Sequence, residues 1–439
     1  MVDLSVNCGG IKSPNPFWLA SAPPSNSAYQ NCKAFEQGWG GTVWKTVGEP
    51  VMNVCNRYGS IDYNGQKIAG INNIELISDR PADVNFKEIA ETKKLWPDRA
   101  VVVSLMVESK KEAWHDMVKR TIDTGADGIE LNYGCPHGMS ERGMGSAVGQ
   151  VPEYCKMITE WVTAVSTIPV LVKLTPNVSN IVLPARAAKA AGASGISLIN
   201  TINSIMGIDL DTFKILPSVA GKSSHGGFAG PAIKPIALHM VSQVAADKEV
   251  NLPISGIGGI SNWRDALEFI LLGASSVQVC TAVMHHGFRI VQDMIEGLTF
   301  WMEEKGFSSL DEVRGKSLPQ LEEFGNFNLL HKTVARIDQD KCIHCNLCHI
   351  ACEDGAHQCI DLITENGNTK TVVRESDCVG CDLCSIVCPV EGCISMIRLD
   401  DGKEEKTWNE LMAEFKKEGK DLSWKNLGEF QKKHGIVIH

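Results

Sequence analysis

The chain has 439 residues, 44% of them hydrophobic and 21% charged, with a formal net charge of -10. That length accommodates a large domain with a smaller companion, and the composition is that of a soluble globular protein rather than a disordered one. The negative charge argues against nucleic acid or an anionic membrane as partner, and no apolar run is long enough to span a bilayer. The start Met1-Val2-Asp3-Leu4 lacks the basic and apolar segments of a secretory signal, so a cytoplasmic protein is expected.

From Pro16 to about Met284, apolar β-type runs alternate with amphipathic ones. Strands are predicted at residues 17–21, 41–46, 100–106, 128–132, 169–174, 195–200, 253–256 and 276–280, with helical patterns at 112–124, 152–165, 182–191, 235–246 and 263–272. Continuous Val/Ile/Leu runs belong to parallel strands buried on both faces. Eight of them, most separated by a helix-length pattern, predict an α/β fold, a (β/α)8 TIM barrel. The long interval between the second and third strands, with 58–70 and 71–77, reads as an insertion lining the site. Residues 305–335 form a connector, 336–400 a Cys-rich module, and 401–439 a tail with Trp408, Leu411, Met412 and Phe415 at helical spacing. The barrel therefore occupies residues 1–304.

Ten of the sixteen cysteines lie between Cys342 and Cys393. Cys342, Cys345, Cys348 and Cys352 form one C-x2-C-x2-C-x3-C run; Cys378, Cys381, Cys384 and Cys388, followed by Pro389, form another. Two such runs are the ligand pattern of a bacterial-type ferredoxin with two [4Fe-4S] clusters, in which the fourth Cys of each run crosses to the other cluster. One cluster then takes Cys342, Cys345, Cys348 and Cys388, the other Cys378, Cys381, Cys384 and Cys352. Zinc favours four ligands in paired form, not two runs of four. Cys359 and Cys393 fall outside the spacing and read as packing residues. Such clusters move electrons singly, so the barrel needs a cofactor that gathers two; that points to FMN.

In a TIM barrel the chemistry sits at the carboxyl ends of the strands. The fourth strand ends in Asn132 and opens into a Gly-rich loop holding Cys135 and His137, read as the catalytic pair. Gly256, Gly258 and Gly259 after the seventh strand, with Cys280 and Thr281 after the eighth, read as a phosphate cradle. The stretch containing Gly227 and Gly230 closes over the same cofactor. Lys45 and Lys173 end strands on the same face; a Lys inside an apolar strand is costly unless paired, so both read as functional charges beside a flavin. No strand–GxGxxG–helix unit with a following acidic residue is present, so NAD(P)H is not expected to bind this chain.

These residues resemble those of the dihydropyrimidine dehydrogenase family, bacterial NAD-dependent type, over nearly the whole chain to about Arg398. The matching strings are Asn73-Ile74-Glu75-Leu76-Ile77-Ser78, Cys135-Pro136-His137-Gly138-Met139, Lys173-Leu174-Thr175-Pro176-Asn177, Asn200-Thr201 and Ala232-Ile233-Lys234-Pro235-Ile236-Ala237-Leu238. The resemblance implies that Asn73, Glu75, Asn132, Asn200 and Thr201 hold a pyrimidine, and that Cys135 is the general acid. It implies that Lys45 and Lys173, with Ala20, Ser21 and Thr46, contact FMN. It further implies a separate NAD(H)-oxidising flavin subunit in a hetero-oligomer, drawn as two catalytic and two partner chains. One position departs: the family has Ser before the catalytic Cys, and this chain has Gly134 after Tyr133. Two other readings stay open, an FMN/Fe-S reductase of another unsaturated ring (dihydroorotate dehydrogenase-like, or acting on an enone) and a non-enzymatic electron-transfer protein.

Overall fold

The computed structural model describes residues 2–48, 51–60, 69–135, 143–365, 367–400, 402 and 404–436. The chain divides into two compact units, one up to Gln320 and one from Leu321 onward.

In the first unit the eight predicted strands form one closed, all-parallel barrel. They are β1 (Phe17–Leu19), β2 (Gly41–Gly48), β3 (Ala100–Met106), β4 (Gly128–Asn132), β5 (Val170–Lys173), β6 (Gly195–Leu198), β7 (Ile254–Ile257) and β8 (Ala274–Val279). A helix follows each strand and covers the barrel: α1 (Ala28–Gln37), α2 (Ala82–Leu95), α3 (Lys111–Asp123), α4 (Pro152–Thr163), α5 (Val182–Ala190), α6 (Lys234–Ala246), α7 (Trp263–Leu271) and α8 (Ile290–Lys305). Every residue of β3, Ala-Val-Val-Val-Ser-Leu-Met, is buried, which is why that stretch runs apolar rather than alternating. Short strands Val6–Cys8 and Ile11–Ser13 form a hairpin whose Ile11 packs with Trp18, Val43, Val102 and Leu171. The buried indoles of Trp39 and Trp44 donate to Phe288 O (2.8 Å) and Asn85 Oδ1 (3.1 Å), so their polar atoms are satisfied.

The insertion after β2 is a sheet. Tyr58–Ser60 and Ile71–Asn73 pair with each other, then with Gly226–Ala229 and Ile202–Ser204, all antiparallel. This ties the second and sixth βα loops together at the end of the barrel where the strands terminate.

The stretch expected as a connector is shared out. Leu310 and Val313 are buried in the barrel's core, whereas Leu329 and Leu330 pack on the C-terminal helices of the second unit. There Thr333–Ile337 pairs with Ile394–Arg398, and Ile360–Glu365 with Asn368–Val373. Helices α9 (Leu347–Gly355) and α10 (Leu383–Ile386) each begin just before the third cysteine of a run. The matching positions Asn346 and Asp382 both take positive φ, 62° and 68°, a conformation Asn and Asp tolerate better than other side chains. The tail forms α11 (Trp408–Lys417) and α12 (Trp424–His434), which bury Leu411, Phe415 and Phe430 together. Among the described residues no helix is long and apolar enough to cross a membrane.

Gly256 in β7 lies against Phe269 of α7: a Cβ there would come within 2.6 Å of the ring's Cδ1. Phe269 is fully buried, so Phe269→Ala is expected to cost about 3–5 kcal/mol of barrel stability, read from the tryptophan-fluorescence transition in a denaturant titration.

Candidate active site and cluster centres

The strand ends and the insertion sheet enclose a cavity of about 1160 Å³ of empty space, open to solvent. A local irregularity builds one wall. The register of β2 against β3 shifts between Trp44 and Val47, so the consecutive residues Lys45 and Thr46 both face the cavity. Thr46 Oγ1 is a hub: it lies 3.1 Å from Ser21 Oγ and 2.9 Å from Ser104 Oγ, and accepts from Asn132 Nδ2 at 2.9 Å. That contact fixes the Asn132 amide, leaving its Oδ1 to accept from Gly134 N and Asn200 Nδ2, each at 3.1 Å. Asn200 Oδ1 accepts from Thr201 N (2.8 Å), and Asn73 Nδ2 donates to Gly227 O (3.1 Å).

Both lysines are buried and paired. Lys45 Nζ donates to Glu75 Oε1 at 2.6 Å, and the same carboxylate receives the Tyr58 hydroxyl and lies 3.4 Å from Arg57 Nε. Burial, then the Glu75 carboxylate, push the Tyr58 hydroxyl well above the usual phenol range. Lys173 Nζ is 3.6 Å from Glu130 Oε1, inside the barrel. Glu130 Oε2 accepts from Gln278 Nε2 at 3.0 Å, and that amide nitrogen also reaches Ser197 and Ser255. Cys280 sits between these charges. Burial pushes its thiol up to about 11, Glu75 adds to the rise, and Lys173 and Lys45 oppose it.

Of the residues singled out in the sequence, Ala20, Ser21, Lys45, Thr46, Asn73, Glu75, Asn132, Cys135, Lys173, Asn200, Thr201, Gly230, Gly258, Gly259, Cys280 and Thr281 all line this cavity. Gly256 does not: it is spent on packing against Phe269. Gly227 is also absent from the lining; its carbonyl holds Asn73. His137 lies outside the described residues. Cys135 is buried beside Ile77, Met106 and Met144, and its carbonyl accepts from Ser146 N at 3.0 Å. Tyr58 comes from the stretch expected to line the site, whereas the lining residue Gln278 was not singled out. Gln278 had a signal, a lone amide inside the apolar run of β8.

Around the glycines the backbone itself is the wall. Gly259 and Gly230 have φ of 76° and 114°, and a Cβ on Gly259 would stand 2.9 Å from Gly230 O. The first amides of α7 are taken by Asn262, whose Oδ1 accepts from Arg264 N and Asp265 N. Gly134 is dictated by a neighbour: a Cβ there would lie 2.4 Å from both Cβ and Nδ2 of Asn200. Tyr133, beside it, faces away, its hydroxyl 3.1 Å from Thr159 Oγ1.

In the second unit two cavities of about 320 Å³ are ringed by cysteines. Cys342, Cys345, Cys348 and Cys388 line one; Cys352, Cys378, Cys381 and Cys384 line the other. Among the described residues no group of His, Cys, Asp or Glu is arranged to hold a single metal ion. Thiols spread around a cavity fit a polynuclear cluster better than one zinc.

The dihydroorotate dehydrogenase family model matches residues 3–302, and a 4Fe-4S dicluster domain model matches 335–396. The chain belongs to the dihydroorotate dehydrogenase family. It is 41% identical over 362 residues to the NAD-dependent dihydropyrimidine dehydrogenase subunit PreA of Escherichia coli K12, covering 82% of this chain and 87% of that protein. It is 43% identical over 328 residues to the chloroplastic dihydropyrimidine dehydrogenase (NADP(+)) of Arabidopsis thaliana, covering 72% and 77%. It is 34% identical over 317 residues to the catalytic subunit of dihydroorotate dehydrogenase B (NAD(+)) of Thermococcus kodakarensis, covering 72% and 98%. Membership makes the chain an oxidoreductase acting on CH–CH bonds, with FMN and 4Fe-4S clusters as cofactors. This sets aside the reading of a bare electron carrier. The barrel cavity fits a flavin: two buried lysine side chains open into it, and Gln278 Oε1, buried and with no hydrogen-bond partner among the described residues, is free to take a ring N–H.

Stripping a buried ammonium of its carboxylate leaves an uncompensated charge. Glu75→Gln is expected to lower barrel stability by about 3–5 kcal/mol, and Lys45→Met added to it to recover most of the loss, as a denaturation double-mutant cycle would show.

Proposed function

We propose that this chain is the catalytic subunit of a dihydropyrimidine dehydrogenase of the cytoplasm, interconverting uracil or thymine and their 5,6-dihydro forms. One observation carries the reading: a thiol, three asparagine amides and two buried ammonium groups face one cavity, in a chain with named dihydropyrimidine dehydrogenases among its relatives. When bound, FMN supplies hydride chemistry at its N5 toward ring C6.

The chain's own residues do the rest. Asn73, Asn132 and Asn200 offer amide donors and acceptors that match the alternating N–H and C=O groups of a pyrimidine edge. Their orientations are set in advance through Thr46, Gly134 and Gly227, so little order is lost when substrate binds. Thr201 and Glu75 complete that shell. Cys135 Sγ gives its proton to ring C5 in reduction and recovers it in the reverse direction, and His137 tunes the proton supply. Lys45 and Lys173 hold positive charge at the flavin's pyrimidine edge. Ala20, Ser21 and Thr46 border the ring. With the α7 amides capped by Asn262, the phosphate is left to the loop amides near Gly258 and Gly259 and those at Cys280 and Thr281.

Cys342, Cys345, Cys348 and Cys388 hold one [4Fe-4S] cluster; Cys352, Cys378, Cys381 and Cys384 hold the second. The Escherichia coli relative is named as a subunit of an NAD-dependent enzyme, which supports an NAD(H)-oxidising flavin partner feeding these clusters, in a heterotetramer of two copies of each chain. A second reading rests on Gly134. The Asn200 side chain fills the space a Cβ at position 134 would take, leaving no serine there, so another unsaturated ring, orotate or an enone, is the competing substrate.

Anaerobic assays with uracil, dihydrouracil, orotate and an enone separate the two. Cys135→Ala is expected to lower uracil turnover by about 10²–10⁴-fold with FMN and iron content unchanged. Full turnover in Cys135→Ala would remove the general acid, and reoxidation by orotate alone would replace the substrate.

A further inference from the structure

Each cluster cavity contains a fifth cysteine that the ligand spacing does not use. Cys393 lines the cavity of Cys342, Cys345, Cys348 and Cys388; Cys359 lines the cavity of Cys352, Cys378, Cys381 and Cys384. Both are buried, at 2% and 4% exposure. The sequence reading of both as packing residues accounts for their burial but not for their place on the cavity walls.

Their positions repeat. In each run the fifth cysteine follows the fourth by a few residues, and the fourth is the ligand that crosses to the other run's cluster. Cys359 lies directly beside its crossover residue: Sγ to Sγ is 3.6 Å, and the Cys359 N–H donates to Cys352 Sγ at 3.4 Å. Cys393 shares its cavity with the crossover residue Cys388 and has its Sγ 3.6 Å from Asp338 O.

We propose that Cys359 and Cys393 are standby ligands, able to take the iron corner held by Cys352 and Cys388 respectively. The inference rests on the cluster assignment above and extends it to two residues outside the motif. A sulfur 3.6 Å from the one it replaces needs a rotamer change and a small cluster shift, not a refolded loop. Because the spare thiol is held in the same cavity, its capture of an open iron corner is effectively intramolecular. The exchange is redox-neutral. The Cys359 sulfur loses its proton to solvent and bonds iron; the Fe–S bond to Cys352 breaks, and that sulfur takes up a proton. Damage to a crossover ligand would then be survivable, whereas damage to a loop ligand such as Cys345 would not.

The test compares anaerobically purified full-length variants by iron and sulfide content and by the electron paramagnetic resonance of the reduced clusters, with FMN content as the check that the chain is folded. Wild type and Cys359→Ala are expected to hold about eight irons. Cys352→Ala is expected to keep about eight, with a shifted cluster signal, and Cys352→Ala/Cys359→Ala to fall to about four. Cys388→Ala and Cys388→Ala/Cys393→Ala should behave the same way, while Cys345→Ala loses cluster iron on its own. If Cys352→Ala loses as much iron as the double variant, Cys359 is not a standby ligand. If Cys359→Ala alone loses a cluster, Cys359 is a primary ligand and the inference fails. A wild-type chain without two cubane signals would instead overturn the cluster assignment beneath it.

Discussion

The barrel mouth is built around two lysine side chains buried beside carboxylates. An isolated Lys buried at the end of an apolar strand would shed its proton or unfold its surroundings. Here each has a carboxylate, and the carboxylates come from different sources. Glu130 rises from the barrel floor on β4, one strand from Lys173. Glu75 is delivered by the insertion after β2 and reaches back to Lys45. The insertion is thus held to the barrel by an ion pair as well as by its own sheet, and Tyr58 and Arg57 gather on the same carboxylate. Burying a lysine at the cavity wall and fastening the insertion over it become one structural problem with one solution.

The polar layer beneath the cavity follows from that constraint. Ser197, Ser255, Ser276, Gln278 and Glu130 occupy barrel positions where branched apolar residues would normally stack. They form a linked set from Ser276 through Ser255 and Gln278 to Glu130, so the carboxylate facing Lys173 is held from below. Thr46 plays the same part at the rim, linking Ser21, Ser104 and Asn132 and so fixing which way the cavity-facing Asn132 amide points. The second unit solves a different problem, wrapping soft ligands around clusters. It uses positive-φ Asn346 and Asp382 to turn two loops in the same way.

Much of this was legible in the residues. All eight barrel strands read as apolar β runs because both faces of a parallel strand are buried, and that pattern survives in one dimension. The cysteine runs were legible because a tight ligand loop fixes its spacing locally. The insertion strands were harder: Tyr58–Ser60 and Ile71–Asn73 are short, and Ile71–Asn73 also pairs with Gly226–Ala229, more than a hundred residues away. Gly256 looked like part of a phosphate cradle because a glycine-rich string does not say which glycine meets a ligand and which meets Phe269. That Cys359 and Cys393 line the cavity walls was not legible, because it depends on how α9 and the paired strands return the chain.

The sequence by itself determined the fold class and the cluster chemistry, since these rest on periodicity and spacing, which are local; many of the residues at the barrel mouth were named through the resemblance to dihydropyrimidine dehydrogenases. Only the tertiary structure decided which carboxylate neutralises which lysine, why no side chain fits at Gly134, and that Cys359 and Cys393 lie on the walls of the two cysteine-ringed cavities. Those are facts about distance between residues far apart along the chain, and an ion pair, a steric exclusion or a shared cavity exists only once the chain has closed on itself.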